Sequence, residues 1–204
     1  TNQTSHYRGF NVDSNIYNEM YELIDEGVKS KNRKEIKRTY LGASSLGDAC
    51  SRKIQYRYMN QTPDEGSGFS AKLLRIFQFG HVIEDMAHGW LINAGNKSAN
   101  TKKFSEFVRK GVTATNQTYA AQIALYQVYM NLTDNPALFT VINKNTCEIY
   151  FELVPFDKAL AQRTSDKAAE ILTAVKHNEM LPRVAVKSDY FLCKRCEFRE
   201  SCWG

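Results

Sequence analysis

The sequence predicts a mixed α/β fold, on three observations. Apolar residues recur at helical spacing in five segments, and two neighbouring segments are rich in β-branched and aromatic residues. The chain of 204 residues is 43% hydrophobic, which is enough to bury a core. We therefore expect helices around a small sheet, in one domain with a small appendage.

The helical segments have the apolar stripe of amphipathic helices and recognisable ends. Ser14 and Asp157 stand where N-caps are expected, and Pro182 stands where the last helix ends. The second segment is expected to hold Cys50 inside the helix, on its apolar face. The five helices are predicted at residues 14–30, from Ser44 or Ser45 to before the PDEGSG stretch, from Ser70 to no later than Gly95, across residues 117–132, and from Asp157 to about His177.

The segments ALFTVIN (137–143) and CEIYFELV (147–154) are typical of β-strands. Residues 143–146 between them, Asn-Lys-Asn-Thr, are typical of a turn, so the pattern predicts a hairpin. Cys147 is therefore interpreted as a structural strand residue. Residues 95–116 contain no β-like run and are predicted to be a Lys-rich connection.

The net charge of +5 and the pI of about 8.9 come largely from two basic runs. Such runs suit the phosphates of a nucleic acid, and a solvated protein surface explains them equally well. The runs consist of Lys29, Lys31, Arg33, Lys34, Lys37 and Arg38, and of Lys102, Lys103, Arg109 and Lys110.

Two features of the sequence indicate a cytoplasmic protein without a membrane partner. No apolar run approaches the ~20 residues that a bilayer span needs. The first residues, TNQTSHYRGF, lack the basic and apolar regions of a secretory signal. In a reducing compartment, cysteines serve more often as ligands than as disulfides.

Three cysteines at the end of the chain have the spacing C-x2-C-x5-C, which suits a metal ion or a metal cluster. A closed thiolate site usually has four ligands, and the fourth must be Cys50 or Cys147. A lone cysteine such as Cys50 is commonly a buried small hydrophobic residue. The spaced trio nevertheless favours a four-cysteine site of Cys50, Cys193, Cys196 and Cys202, which would tie an early helix to the end of the chain.

The segment SSLGDACSRKIQYRY, taken with these cysteines, resembles the iron-sulfur nucleases in the RecB-like branch of the PD-(D/E)XK superfamily. That branch includes CRISPR-associated adaptation nucleases, AddB-type nucleases and phage exonucleases. The resemblance implies a restriction-endonuclease-like core, a mixed sheet flanked by helices, with a helical cap in which the four cysteines hold a structural [4Fe-4S] cluster. It divides the chain into residues 1–69 and 182–204 of the cap and residues 70–181 of the nuclease core.

Two further motifs support the resemblance. Gly80 to Glu84 matches the family's Gly-x-x-x-Glu motif, which implies that Glu84 is a ligand of Mg2+ or Mn2+ and that His81, one turn earlier, helps to position the metal or a phosphate. Gln122 and Tyr126 match the Q-x-x-x-Y motif, and their i, i+4 spacing places them on one helix face. The family's version of this motif lines the catalytic site.

The catalytic strands of the family are missing from this pattern. The family supplies an Asp from one strand and a Glu-x-Lys from the next, and residues 95–116 contain no Asp. Lys97 stands at the lysine position, but Gly95 stands where the Glu belongs. We hypothesise that a segment carrying these strands is absent between Gly95 and Asn96, and a tryptic peptide joining the two residues directly would refute this.

The resemblance implies a metal-dependent DNA exonuclease or single-strand nuclease. A metal-activated water would attack the phosphodiester, with Glu84 on the metal and Lys97 orienting the water. The expected DNA is single-stranded or has duplex ends, and a phage origin would place the protein in the bacterial host cytoplasm. The residues around the cluster that are expected to contact DNA are Tyr56, Arg57, Arg195 and Arg199.

Two alternatives stay open at the level of sequence. If Gly95 and Asn96 are truly joined, the chain is a catalytically inactive DNA-binding relative within a recombination or CRISPR adaptation complex. Four thiolates also suit tetrahedral zinc, so the second alternative is a zinc-stabilised DNA-binding domain. The colour of the purified protein separates the two cofactors, because an oxidised [4Fe-4S] protein is brown and a zinc protein is colourless.

Overall fold

The computed structural model describes residues 14–32, 39–90 and 95–204, and they form a mixed α/β structure. No helix in these ranges is long and apolar enough to cross a membrane. The helices are α1 (Ser14–Asn32), α2 (Ala43–Leu46), α3 (Ser51–Tyr58), α4 (Ala71–Trp90), α5 (Thr101–Thr115), α6 (Gln117–Tyr129), α7 (Lys158–Lys176), α8 (Phe191–Lys194) and α9 (Arg199–Trp203). The strands are β1 (Gly95–Ala99), β2 (Ala137–Asn143) and β3 (Ile149–Val154).

The sheet is mixed, with the strand order β1-β2-β3. β1 runs parallel to β2, with Lys97 opposite Val141. β2 and β3 are antiparallel, with Val141 opposite Tyr150, so the predicted hairpin is confirmed. Because a parallel pair needs a crossover connection, α5 and α6 carry the chain from β1 back to the start of β2.

One face of the sheet packs against α5 and α6. The ring of Phe107 on α5 lies 5.4 Å from that of Phe139 on β2 and 6.2 Å from that of Tyr119 on α6, measured between ring centres. This packing holds β1 beside α6. The buried members of the cluster are Ala99, Phe104, Phe107, Val112, Phe139, Val141 and Val154.

A second apolar cluster joins α2, α3, α6 and α7. Ile54 of α3 and Ile171 of α7 are almost completely buried in it, and Leu181 beyond α7 packs there too. The cluster therefore fixes α3 next to the point from which the C-terminal tail begins. Its buried members are Leu46, Ile54, Leu125, Ile171, Ala174 and Leu181.

By its internal contacts, the chain divides into two units. The smaller unit contains α1 and the start of α4, up to Phe77. Within it, Arg75 pairs with Asp25, and the rings of Phe69 and Phe77 meet edge to face at 5.2 Å. The larger unit contains the sheet, the remaining helices and the rest of α4.

The predicted second helix is wrong in one respect, because it is two helices, α2 and α3. Gly47 between them lies so close to α6 that a Cβ atom there would be 2.4 Å from the Cα atom of Thr118. Asp48 then accepts the backbone N–H of Cys50 on its Oδ1 atom at 3.0 Å, a local bond that competes with a continuous helix. Cys50 consequently occupies the N-cap position of α3 instead of its interior.

The prediction of an irregular connection at residues 95–116 is also wrong, since these residues form β1 and α5. The sequence of β1, GNKSA, contains no β-branched or aromatic residue, so pairing with β2 accounts for the strand better than intrinsic propensity does. Asn100 is the N-cap of α5, and its side chain accepts the N–H of Lys103. The helix bends at Gly111. The bend interrupts the apolar periodicity on which the helix prediction depends.

Cys147 lies in the turn between β2 and β3, which corrects its assignment to a strand. Its thiol is exposed and its φ angle is 62°. The turn is closed by Asn143, whose buried Oδ1 atom accepts the N–H of Asn145 at 3.1 Å.

The structure describes the two basic runs to different extents. Lys29 and Lys31 lie in the last turn of α1, whereas residues 33–38 lie outside the described residues. The second run lies on α5, where three of its four cations are exposed to solvent, namely Lys102, Arg109 and Lys110.

Gly111→Ala should lower the free energy of unfolding by roughly 2–4 kcal/mol, in a urea titration. Gly111 has a φ angle of 74°, and a Cβ atom there would lie 2.7 Å from Oε1 of Glu152. The same carboxylate accepts the N–H of Val112 at 2.8 Å, so the clash also disturbs a hydrogen bond. The control is Gly66→Ala, because Gly66 has the same φ of 74° with nothing within 4 Å of its Cβ position. Equal losses in the two variants would contradict the proposed contact with Glu152.

Candidate functional site

Four cysteines line a single pocket between the start of α3 and the C-terminal tail. They are all free thiols, of which Cys193 is buried and the other three are half-buried. Cys50 immediately precedes α3, Cys193 lies on α8 and Cys202 on α9. The structure thus brings together the set that the sequence predicts: Cys50, Cys193, Cys196 and Cys202.

The residues that line this pocket suit a thiolate-bound group in type and number, but they are not yet arranged around one metal position. A [4Fe-4S] cluster or a zinc ion with four thiolates carries a net charge of about −2, which nearby cations offset. Among the described residues, no group of three or more His, Cys, Asp or Glu side chains is arranged to hold one metal ion. The cationic side chains that line the pocket with the four thiols are Arg52, Lys53, Arg183 and Arg199.

Cys50 is positioned by the loop that precedes it. Besides accepting the Cys50 N–H, Asp48 pairs through Oδ2 with the ammonium of Lys53 at 2.8 Å. Lys167 of α7 donates to the Asp48 carbonyl oxygen. Burial opposes the ionisation of Asp48, but the hydrogen bonds from Lys53 and from Cys50 outweigh it and hold the pKa of Asp48 below its ordinary value. The Cys50 side chain makes no capping hydrogen bond to α3, so its thiol is left to the pocket.

The pKa of the Cys196 thiol is raised above its ordinary value. Burial is the largest cause, and the nearby Cys50 acts in the same direction. A hydrogen bond from the Phe198 backbone and the charge of Lys53 partly oppose this effect. Binding of a metal or cluster at this thiol therefore displaces a proton.

A buried amide holds the start of the tail against α3. Gln55 is completely buried, and its Nε2 atom donates to the carbonyl oxygen of Glu179 at 2.6 Å. Its Oε1 atom accepts the N–H of Leu181 at 3.0 Å. The amide of Gln55 thus bonds through both its nitrogen and its oxygen to the backbone just after α7. These two bonds fix the path of the chain towards the cysteines.

The end of the tail is held by Asp64, in the loop after α3. Its carboxylate accepts three hydrogen bonds, from the backbone N–H groups of Glu200 and Ser201 and from the Ser201 hydroxyl. In return, the N–H of Asp64 donates to the carbonyl oxygen of Glu197 at 2.8 Å. The loop and the first turn of α9 are therefore joined by backbone-directed bonds on both sides.

Two of the residues that are predicted to contact DNA have partners in the tail. Tyr56 is buried, its ring lies 5.2 Å from that of Phe198, and its hydroxyl donates to the Ser201 carbonyl oxygen at 3.3 Å. Arg57 pairs with Glu197, with 2.5 Å between Nε and Oε1. The other two residues of that prediction are exposed at the surface, namely Arg195 and Arg199.

The residues predicted to form the nuclease site lie on α4, β1 and α6. The ammonium of Lys97 lies over the ring of Tyr119, 5.3 Å from its centre. Burial raises the pKa of Tyr119, and the negative charge of Glu84 raises it further. Tyr119 therefore interacts with the charges of both Lys97 and Glu84.

Gln122 and Tyr126 form a pair on the exposed side of α6. The amide Nε2 of Gln122 donates to the Tyr126 hydroxyl at 3.0 Å. Tyr119, Gln122 and Tyr126 lie on the same face of α6 by their helical spacing. This face extends from Tyr119, whose ring contacts Lys97, to Tyr126 in solvent.

The glycine of the Gly-x-x-x-Glu segment has a packing role. A Cβ atom on Gly80 would lie 3.2 Å from the Oγ atom of Ser98, so the glycine permits α4 to approach β1 closely. Ser98 is adjacent to Lys97 on the strand. The close approach therefore brings the helix of Glu84 to the strand of Lys97. His81, also on α4, is largely in solvent, with its Nδ1 atom 4.0 Å from Oε2 of Glu84.

Tyr119 is the residue of this site that the sequence patterns do not single out. The ammonium of Lys97 lies over its ring, the charge of Glu84 raises its pKa, and it packs against the core beneath the sheet. Its place three residues before Gln122, on the same helix face, is the signal that identifies it.

No family model, no curated protein and no solved structure matches the chain significantly.

If the four cysteines hold a metal or a cluster, Cys50→Ala should lose most of it, and the variant purified without oxygen should melt at a lower temperature than the parent. The reason is that Cys50 would supply the ligand that joins α3 to the tail. Iron, zinc and acid-labile sulfide analysis together with thermal unfolding measures this. Cys147→Ala is the matched control, because its exposed thiol lies in a distant turn, and its effect should stay within about 0.5 kcal/mol. Equal metal content in the two variants would contradict the assignment.

Acid should release the tail, because the pKa of Asp64 is held low in the folded chain. Burial works against ionisation, but the hydrogen bonds from Ser201 and Glu200 more than compensate for it and hold the pKa below its ordinary 3.8. A depressed pKa means that the stabilisation is complete above about pH 3.8 and is lost as the pH falls through the lower folded value. Fluorescence of Trp203 in a Trp90→Phe background follows the release.

The comparison variant for the acid titration is Asp64→Asn, which should weaken tail attachment already at neutral pH and flatten the acid transition. Glu65→Gln, at the exposed neighbouring position, serves as the control and should titrate like the parent protein. Superimposable transitions for the parent and Asp64→Asn would show that Asp64 does not hold the tail.

Proposed function

We propose that this chain is a metal-dependent DNA nuclease of the RecB-like type, with a structural [4Fe-4S] cluster. The observation that carries the proposal is the convergence of Cys50, Cys193, Cys196 and Cys202 on one pocket, from opposite ends of the sequence. A set of four cysteines that ties an early helix to the tail is the arrangement that the resemblance implies. We assign the cluster a structural role. Its four ligands would connect the start of α3 to the C-terminal tail, two segments that other contacts already hold together.

The second support is the arrangement of the residues proposed for catalysis. Lys97 is held on a strand of the sheet beside α6, and α4, which carries Glu84, packs closely against the same strand at Gly80. Mg2+ or Mn2+, when bound, activates water and neutralises charge on the phosphate. Glu84 supplies a carboxylate for such an ion, with His81 one turn earlier on α4, and Lys97 positions the attacking water.

The exposed end of this region suits a nucleic acid strand. Gln122 and Tyr126 present an amide and a phenol to solvent, and an aromatic ring of this kind stacks on bases without regard to sequence. The exposed cations of α5 add a phosphate-binding surface to the same unit: Lys102, Arg109 and Lys110.

A second candidate function is binding of DNA without cleavage, and one observation favours it. Among the described residues, no third metal ligand joins Glu84 and His81. Gly95, at the position of the family's Glu, shares a strand face with Lys97 and carries no side chain. A catalytically inactive relative would keep the DNA-binding surface and the cluster.

Incubation of labelled single-stranded and duplex DNA with the protein and Mn2+ tests the proposal, with EDTA as the blank. We expect cleavage that Glu84→Gln and Lys97→Met each reduce about 100-fold or more, because each removes a group that acts on the metal or the attacking water. The matched control is Asp85→Asn, an exposed carboxylate on the next residue of α4, which should cleave normally. Binding of DNA without any cleavage by the parent protein would select the second candidate.

A further inference from the structure

We propose that Arg52 is a positioning residue of the four-cysteine centre, which holds the thiolate of Cys202 and withdraws electron density from its sulfur. This inference rests on the proposed cysteine centre and names a residue that acts on one of its ligands. Arg52 lies in the first turn of α3, two residues after Cys50. From this helix, Arg52 connects the Cys50 side of the centre to Cys202 on the tail.

The geometry of the guanidinium supports this role. Its Nη1 atom lies 3.8 Å from the Sγ atom of Cys202, while Nε donates to the carbonyl oxygen of Leu181. A planar guanidinium makes both contacts with one fixed fork, and it stays charged at every physiological pH. Arg52 therefore ties the thiol of the tail to the segment that Gln55 anchors.

A second arginine holds the same cysteine by a different group. Arg183 donates from Nε and Nη2 to the carbonyl oxygen of Cys202, at 2.9 and 2.7 Å. Its guanidinium also lies over the ring of Trp203, 4.6 Å from the ring centre. Of these two arginines, Arg52 reaches the sulfur and Arg183 reaches the backbone.

This difference separates the effects of the two arginines. A hydrogen bond and a positive charge at a ligand sulfur stabilise the thiolate and raise the reduction potential of an iron-sulfur cluster. A bond to the carbonyl oxygen positions the ligand without acting on the sulfur directly. Loss of either arginine should loosen the centre, but loss of Arg52 should change its electronic properties more strongly.

The test compares full-length Arg52→Gln, Arg52→Lys and Arg183→Gln, all purified without oxygen, with the parent protein. Arg163→Gln is the charge-matched control, because Arg163 is exposed on α7 away from the pocket. The readouts are iron and sulfide content, the rate of metal loss to a chelator, the midpoint potential and the Fe–S stretching frequencies in resonance Raman spectra. Far-UV circular dichroism establishes that each variant is folded.

We expect Arg52→Gln to lose metal about 10- to 100-fold faster than the parent, as the removal of partners around metal ligands typically does. It should also lower the midpoint potential and shift the Fe–S frequencies. Arg52→Lys keeps the charge and should retain an intermediate potential. Arg183→Gln should lose metal faster with a smaller shift of potential than Arg52→Gln, and Arg163→Gln should match the parent.

The outcomes distinguish this inference from the proposed function. Iron and sulfide in the parent, with an unaltered loss rate and potential in Arg52→Gln, would overturn the role of Arg52 alone. A zinc-containing parent would overturn the cluster, and faster zinc loss from Arg52→Gln would then uphold the positioning role. A parent that binds neither metal would overturn both. An equal shift of potential in Arg52→Gln and Arg183→Gln would overturn the action on the sulfur.

Discussion

The attachment of the C-terminal tail to α3 is the constraint on which the larger unit depends. Its centre is the buried amide of Gln55, which bonds to backbone groups more than 120 residues further along the chain. An unsatisfied buried amide group costs about 1–3 kcal/mol, so this contact is strongly selective for one course of the tail. Closing so long a loop carries an entropic cost that a cluster of contacts must offset together. Asp64, Tyr56 and Arg57 supply further contacts between the tail and the region of α3.

The same attachment explains why the thiols converge. The apolar cluster of α2, α3, α6 and α7 fixes α3, and the local bonds of Asp48 fix the residue before it, Cys50. From the other side, Asp64 holds α9 and therefore Cys202. These contacts position the cysteines without involving their sulfur atoms, and a bound cluster or metal would lock the segments that they hold together.

Short-range signals in the sequence predict much of this fold, and the errors come from long-range contacts. The N-cap Asp157, the turn after Asn143 and the PDEGSG break act within a few residues, and the elements beside them are confirmed. The division at Gly47 arises partly from contact with α6, and β1 arises from pairing with β2, and no local window contains these two contacts. The cysteine set depends on spacing in the tail, which is local, and on Cys50, which the spaced trio favours as the fourth ligand. The roles of Tyr56, Arg57 and Tyr119 depend on partners that only the folded chain reveals.

Native mass spectrometry of the 204-residue chain, purified without oxygen, tests whether the four cysteines hold a [4Fe-4S] cluster. We expect one species whose mass exceeds that of the polypeptide by four iron and four sulfide. This added mass should be lost in one step when acid releases the tail. A polypeptide without a bound metal, or with one zinc ion in place of the cluster, would contradict this expectation.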